Sequence, residues 1–195
     1  MLFDAAVLGL FAGLLTGGSL KRLLEMPLRY LPLLIGSVLL SQLPRITFAA
    51  SGISRLGTAG AICFALIRYG LLFGFVAANR RCIPVDVIGA GGALNFLVTL
   101  ANDGRMPVIY AAIAKSPHAA ENLLLGHGQV LIYTVADTRT RLALLCDRLD
   151  IPFFDWTLQH VHYFLSVGDV LIAVGLFLLI IDLMKPARIL KLLRS

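Results

Sequence analysis

The chain has 195 residues, of which 58% are hydrophobic and only 14% charged. Soluble domains run nearer half apolar and a quarter charged, so this composition suits a bilayer; it excludes a disordered chain and, unless several apolar runs are misread, a water-soluble enzyme. The net charge is +6, but the basic residues border apolar runs, which points to an anionic membrane face and not to nucleic acid.

A spanning helix needs about 20 mostly apolar residues, with about 17 as the lower end. Five segments meet or approach that length: 2–18, 28–44, 58–79, 84–101 and 161–184. The first lacks a basic leader, so it reads as a retained helix and not as a cleaved signal peptide. The fold expected is an all-α membrane protein, a single domain over 1–195. It has about five transmembrane helices and a structured external segment, 102–160, between the last two. Basic residues follow the first span (Lys21, Arg22, Arg29), the third (Arg80, Arg81) and the fifth (Lys185, Arg188, Lys191, Arg194). That distribution puts the N-terminus outside and the C-terminus inside a bacterial cytoplasmic membrane.

Within the external segment, Ser116–Gly126 carries the punctuation of a short helix, with a serine cap, a proline at N1 and a glycine stop. Gln129–Val135 suits a strand, with a re-entrant or interfacial piece as the alternative. Thr138–Leu149 has apolar residues at helical spacing and reads as an amphipathic surface helix. Phe153, Phe154, Trp156, Tyr163 and Phe164 gather before the last span as an interfacial aromatic belt. Residues 19–27 and Lys185–Arg194 each read as a basic amphipathic continuation of the span before it.

Two sets of residues stand out. Gly9, Gly13 and Gly17 recur every four residues in the first span, as do Gly70 and Gly74 in the third. Small residues at that spacing let helix backbones approach, either inside the bundle or against a partner membrane subunit. Arg68, Asn95 and Asp169 lie within membrane depth in three different spans, where ionisable groups are costly and face a partner or a cavity. The spacing allows an Arg68–Asp169 ion pair with Asn95 beside it, or a site open to the outer leaflet. The four histidines and three cysteines show no convincing ligand spacing, so no metal is expected. No phosphate loop, dinucleotide fingerprint or GxSxG elbow is present, and no cofactor is expected.

Gly91-Gly92-Ala93-Leu94-Asn95, Asn102-Asp103-Gly104-Arg105-Met106-Pro107-Val108, and Ser166-Val167-Gly168-Asp169 with Gly175 carry a resemblance. They resemble a domain-of-unknown-function family of small multipass bacterial membrane proteins, with Asp103 where that pattern usually has glycine. The resemblance implies a membrane location and no settled activity. Gly91–Asn95 and Ser166–Asp169 are also similar in layout to lipoprotein signal peptidases, whose two aspartates activate water at the outer membrane face. Val98 stands where those enzymes have their first aspartate, and Ser166 where they have asparagine.

The leading reading is a non-catalytic accessory or structural subunit of a membrane complex, or a lipid-binding module. Membrane lipids, and a subunit docked on the first span, would be its partners. The alternative is an outer-leaflet aspartyl hydrolase with Asp169 and Asp103 as acid and base and Asn95 orienting substrate. A small transporter comes third.

Overall fold

The computed structural model describes residues 2–25, 28–43, 57–110, 129–130, 132–151 and 163–185. Among the described residues there are six helices: α1 (Leu2–Leu15), α2 (Leu20–Leu24), α3 (Leu31–Gln42), α4 (Gly57–Asn79), α5 (Ile83–Ala101) and α6 (Val167–Met184). They pack in a row, with α1 on α6, α6 on α5, α5 on α4 and α4 on α3, so that α5 and α6 form the centre. Burial follows that order: half of the apolar window of α5 is buried, against 28% for α4 and for α6. Leu66, Ile67, Val174 and Leu178 point outward, as lipid-facing side chains do. The main core lies between α4, α5 and α6 around Phe75, Val85 and Leu179.

Among the described residues three helices, α4, α5 and α6, are long and apolar enough to cross a membrane, with 23, 19 and 18 residues. The first two expected spans are shorter. Helix α1 has 14 residues and α3 has 12; at ~1.5 Å per residue both fall below a ~30 Å hydrocarbon core. Helix α1 stops early for a local reason. Gly17 has φ +79°, and the Gly18 N–H bonds the Gly13 carbonyl at 2.8 Å while the Gly17 N–H bonds that of Leu14 at 3.0 Å. This is a Schellman stop, so Gly17 ends the helix and lies off the face of Gly9 and Gly13. The Ser19 N–H then bonds the Met184 carbonyl at 2.9 Å, tying the end of α1 to the end of α6. Beyond it, the expected amphipathic stretch 19–27 contributes the five-residue α2.

The last span starts later than the expectation of 161–184 and ends where expected. Tyr163–Leu165 is a strand, and α6 begins at Val167. It ends at Met184, with Lys185 extended at ψ 156°, because Pro186 disfavours helical geometry in the residue before it. The continuation 186–194 lies outside the described residues.

The segment between α5 and α6 builds two small sheets. Strands β1 (Met106–Val108), β2 (Gln129–Val130) and β3 (Tyr133–Val135) form one in the order β1-β3-β2, with β1 and β3 parallel. Strands β4 (Leu149–Ile151) and β5 (Tyr163–Leu165) form the other, antiparallel, with Leu149 opposite Leu165. The strand expected over 129–135 is thus a pair of strands, β2 against β3. The surface helix expected over Thr138–Leu149 is absent: the chain makes turns, a 3₁₀ turn at Ala143–Leu145 and then β4. Asp137 starts this course, its carboxylate accepting from the Arg139 N–H at 2.8 Å, a local bond that competes with helix. Leu142, at φ +54°, breaks it a second time. The expected helix at 116–126 and the aromatics Phe153, Phe154 and Trp156 lie outside the described residues.

Candidate functional site

The register of β4 and β5 decides what meets what. With Leu149 opposite Leu165, the same register carried back one pleat sets position 147 across from 167, beside the first turn of α6. Asp147 is pinned to β1 from the other side: its N–H bonds the Pro107 carbonyl at 3.0 Å, and its carbonyl accepts from the Ile109 N–H at 3.2 Å. The pairing of these strands thus carries Asp147 toward the start of α6, and Asp147 and Asp169 line one cavity.

Asp169 is held by a capping box. Its N–H bonds the Ser166 hydroxyl oxygen at 2.9 Å, and its carboxylate accepts from the Ser166 N–H at 3.2 Å. Asn95 on α5 joins the ring. Its amide N–H donates to the Asp169 carboxylate at 2.8 Å, and its carbonyl accepts from the fully buried Ser166 hydroxyl at 2.7 Å. The serine that departs from the peptidase pattern is thus the N-cap that orients the aspartate.

Asp169, Asn95 and Arg68 line one cavity together with Asp147, Tyr69 and Thr99. The expected trio is therefore brought together, but the Arg68–Asp169 ion pair is not what joins it. Arg68 donates to the Tyr69 hydroxyl at 2.6 Å, and its guanidinium sits 4.4 Å from the centre of the Tyr69 ring. The cation is held by its neighbour's phenol and π-face, which fits a low-dielectric wall. The space inside is about 50 Å³; with ~10–15 Å³ of such space needed per water, it takes a few water-sized groups and no acyl chain.

Asp147 is the residue that sequence reasoning missed. It is 7% exposed, and its Oδ1 has no hydrogen-bond partner. Burial pushes its carboxyl well above the usual carboxylate range, the charge of Asp169 pushes it further, and Arg68 pulls it partly back. A carboxyl with a raised pKa in the same small cavity as a hydrogen-bonded aspartate is an arrangement suited to handling protons.

Asp103 does not line this cavity. It adopts φ +59° and lines a second cavity across the 103–106 segment, so the expected Asp169–Asp103 pair is replaced by Asp169–Asp147. The turn is forced by its neighbour: Gly104, at φ +78°, lies against the backbone of Ala61 and Ile62 in α4, where no side chain fits. Asn102 locks the other flank. Its amide donates to the Val98 and Arg141 carbonyls at 2.7 and 2.9 Å, and its carbonyl accepts from the Arg141 N–H at 2.9 Å. Replacing Asn102 by Ala removes three hydrogen bonds; the expected cost is about 1–3 kcal/mol, read by thermal unfolding in detergent, with faster proteolysis at 138–145.

The glycine sets separate. Gly9 meets the Phe177 carbonyl and Ile180, and Gly13 meets the Met184 side chain, so this face of α1 is covered by α6. Gly74 faces Leu33 on α3, while Gly70 has open space. The tightest crossing lies elsewhere: Gly91 and Gly168 each abut the other's carbonyl, and Gly175 sits over the Ile88 N–H and the Pro84 carbonyl. Among the described residues no group of three or more His, Cys, Asp or Glu converges as a metal site, and all four histidines lie outside them.

The model of a family of unknown function (DUF5317) matches residues 25–181, most of the chain, and the chain belongs to that family. No curated protein and no solved structure is similar to it. The layout shared with lipoprotein signal peptidases stands on the quoted segments alone.

Proposed function

We propose that this member of a family without an assigned role is a membrane hydrolase of the two-carboxylate type, with Asp147 and Asp169 as the working pair. The observation that carries the reading is the buried Asp147 carboxyl, its Oδ1 without a partner, in the same small cavity as Asp169. The sequence favoured an accessory or lipid-binding protein for want of a complete catalytic set, and for the short spans and the glycine face of the first span. Asp147 answers the first point, and the packing of Gly9 and Gly13 on α6 gives those glycines a use within the chain.

In the proposed chemistry Asp169 takes a proton from a water held between the carboxyls. The water oxygen bonds to the carbonyl carbon of an amide or ester. Asp147 gives its proton to the carbonyl oxygen, and Arg68 stabilises the carboxylate left behind. In the second step the bond to the leaving nitrogen or oxygen breaks; Asp169 hands its proton to the leaving group, and Asp147 recovers one from the intermediate. Asn95 and Ser166 hold Asp169 in place through both steps. The cavity admits only the reacting atoms, so the rest of the substrate lies along the membrane surface, as a lipopeptide or lipid ester would. The basic residues of the short loops favour an outward-facing sheet in a bacterial cytoplasmic membrane.

The test is hydrolysis of lipopeptide and lipid-ester substrates by the full chain in mild detergent. Asp147→Asn and Asp169→Asn are each expected to lower turnover by at least ~10³-fold, and Asp103→Asn to leave it unchanged. Full turnover in Asp147→Asn, or loss only in Asp103→Asn, would overturn the reading.

A further inference from the structure

The segment 103–106 separates two cavities, and its side chains divide between them: Gly104 and Met106 line the cavity of the carboxyl pair, while Asp103 and Arg105 line the other. That division follows from the left-handed turn at Asp103 and Gly104, which leads directly into β1. The second cavity is larger, about 270 Å³, and its wall is mainly polar. Arg105 is only 8% exposed, yet its Nε has no hydrogen-bond partner. A buried donor without an acceptor is rare, so the site carries an unmet demand for an acceptor at that nitrogen.

The other groups of the wall narrow the choice of ligand. Arg139 supplies a second cation and Thr134 a hydroxyl donor. Of the two acids there, Asp137 is occupied by its own turn, accepting from the Arg139 N–H and from Thr140 at 3.3 Å. Asp103 is exposed, where water screens its charge. Two guanidinium groups and a hydroxyl match the oxygens of a tetrahedral anion, for which arginine offers paired donors. The loop beside the cavity adds Leu142 and Leu144, 49% and 75% exposed, next to Arg139 and Arg141. Exposed leucines between arginines suit the boundary between acyl chains and anionic headgroups.

We infer that the cavity walled by Arg105, Arg139 and Thr134 binds a phosphate group, presented by an anionic phospholipid headgroup or by a soluble phosphate. The site is independent of the hydrolase reading, since it needs neither carboxyl of the other cavity.

The experiment uses the full chain in neutral detergent and follows its thermal unfolding. Inorganic phosphate, phosphatidylglycerol and phosphatidylcholine are titrated separately, with chloride matched for ionic strength. A rise in the midpoint with phosphate and with phosphatidylglycerol assigns the bare anion; a rise with phosphatidylglycerol alone assigns the headgroup. In either case Arg139→Gln, an exposed position that leaves folding intact, is expected to weaken binding about tenfold or more. Arg105→Gln is expected to abolish it. Asp147→Asn should leave it unchanged, which separates failure of this site from failure of the hydrolase. No rise with any phosphate-bearing probe, an equal rise with phosphatidylcholine, or an undiminished rise in Arg139→Gln would overturn the inference.

Discussion

Asp147→Asn is expected to unfold at a higher temperature than the unaltered chain at neutral pH, while losing hydrolysis. The two effects have one cause. In the folded chain the Asp147 carboxyl sits among buried groups and faces Asp169, so its pKa is raised, whereas in the unfolded chain it is near 3.9. A raised folded pKa means that the folded state holds this proton more tightly. The contribution is fully present below about pH 3.9 and is lost as the pH rises through the folded value, at ~1.4 kcal/mol per unit of difference. Stability of the unaltered chain should therefore fall with rising pH across that window. Asparagine has the same shape and never ionises, so the fall attributable to this site should vanish in the variant. Unfolding midpoints from pH 4 to about pH 9 for both proteins check it. Equal slopes would mean that Asp147 carries no raised pKa and that the proposed acid is absent.

The same substitution separates a structural from a catalytic role. If Asp147 only completed the fold, replacement by asparagine would leave any hydrolysis in step with the surviving folded fraction. Under the proposed chemistry the more stable variant is the inactive one, a trade that recurs where an active site holds a group against its ionisation preference.

What was legible in the sequence follows from how local each signal is. Apolar runs identified α4 and α5 to within a residue at each end, because about 20 apolar residues have few alternatives. Polar residues at membrane depth pointed to Asn95, Arg68 and Asp169 for a similarly local reason: burying them demands a cavity or a partner. Membership of the family was legible in the Met-Pro-Val and Ser-Val-Gly-Asp segments, which turn out to be β1 and the cap of α6. Asp147 was not legible. It sits between Cys146 and Arg148 in a stretch whose apolar spacing imitates a surface helix. Its place is set by pairing to Pro107 and Ile109 and by the register of β4 on β5, and long-range strand pairing leaves little trace in a single chain. The helix stop at Gly17 was hidden for the opposite reason. A glycine at the end of a four-residue repeat looks like the next small residue of a packing face, and only its positive φ distinguishes a stop.

Gly168→Ala is expected to be strongly destabilising. At the α5–α6 crossing a methyl group on Gly168 would overlap the Asn95 side-chain carbonyl and lie 2.5 Å from the Gly91 carbonyl. Relief by side-chain rotation is closed off, because the Asn95 amide is bonded to both Ser166 and Asp169. Separating the helices would instead loosen the pair with the most extensive contact in the bundle. Overpacking in tight cores costs about 1–3 kcal/mol, and breaking the Asn95 network adds a buried, unsatisfied polar group at ~1–3 kcal/mol. Together these reach the order of the whole stability of a small domain, so Gly168→Ala should fail to accumulate as a folded protein or melt far below the unaltered chain. Gly70→Ala is the control. It is the same change inside a helix, nothing lies within 4 Å of its added methyl, and helix propensity favours alanine there by up to ~1 kcal/mol. The sequence treats Gly70 as part of a packing repeat and Gly168 as part of a motif, yet the structure predicts opposite signs for one identical substitution. Melting curves of the two variants in the same detergent decide it: comparable losses at both positions would mean that the α5–α6 crossing is looser than the Gly91–Gly168 contact requires, and that Asp169 is not rigidly held against Asn95.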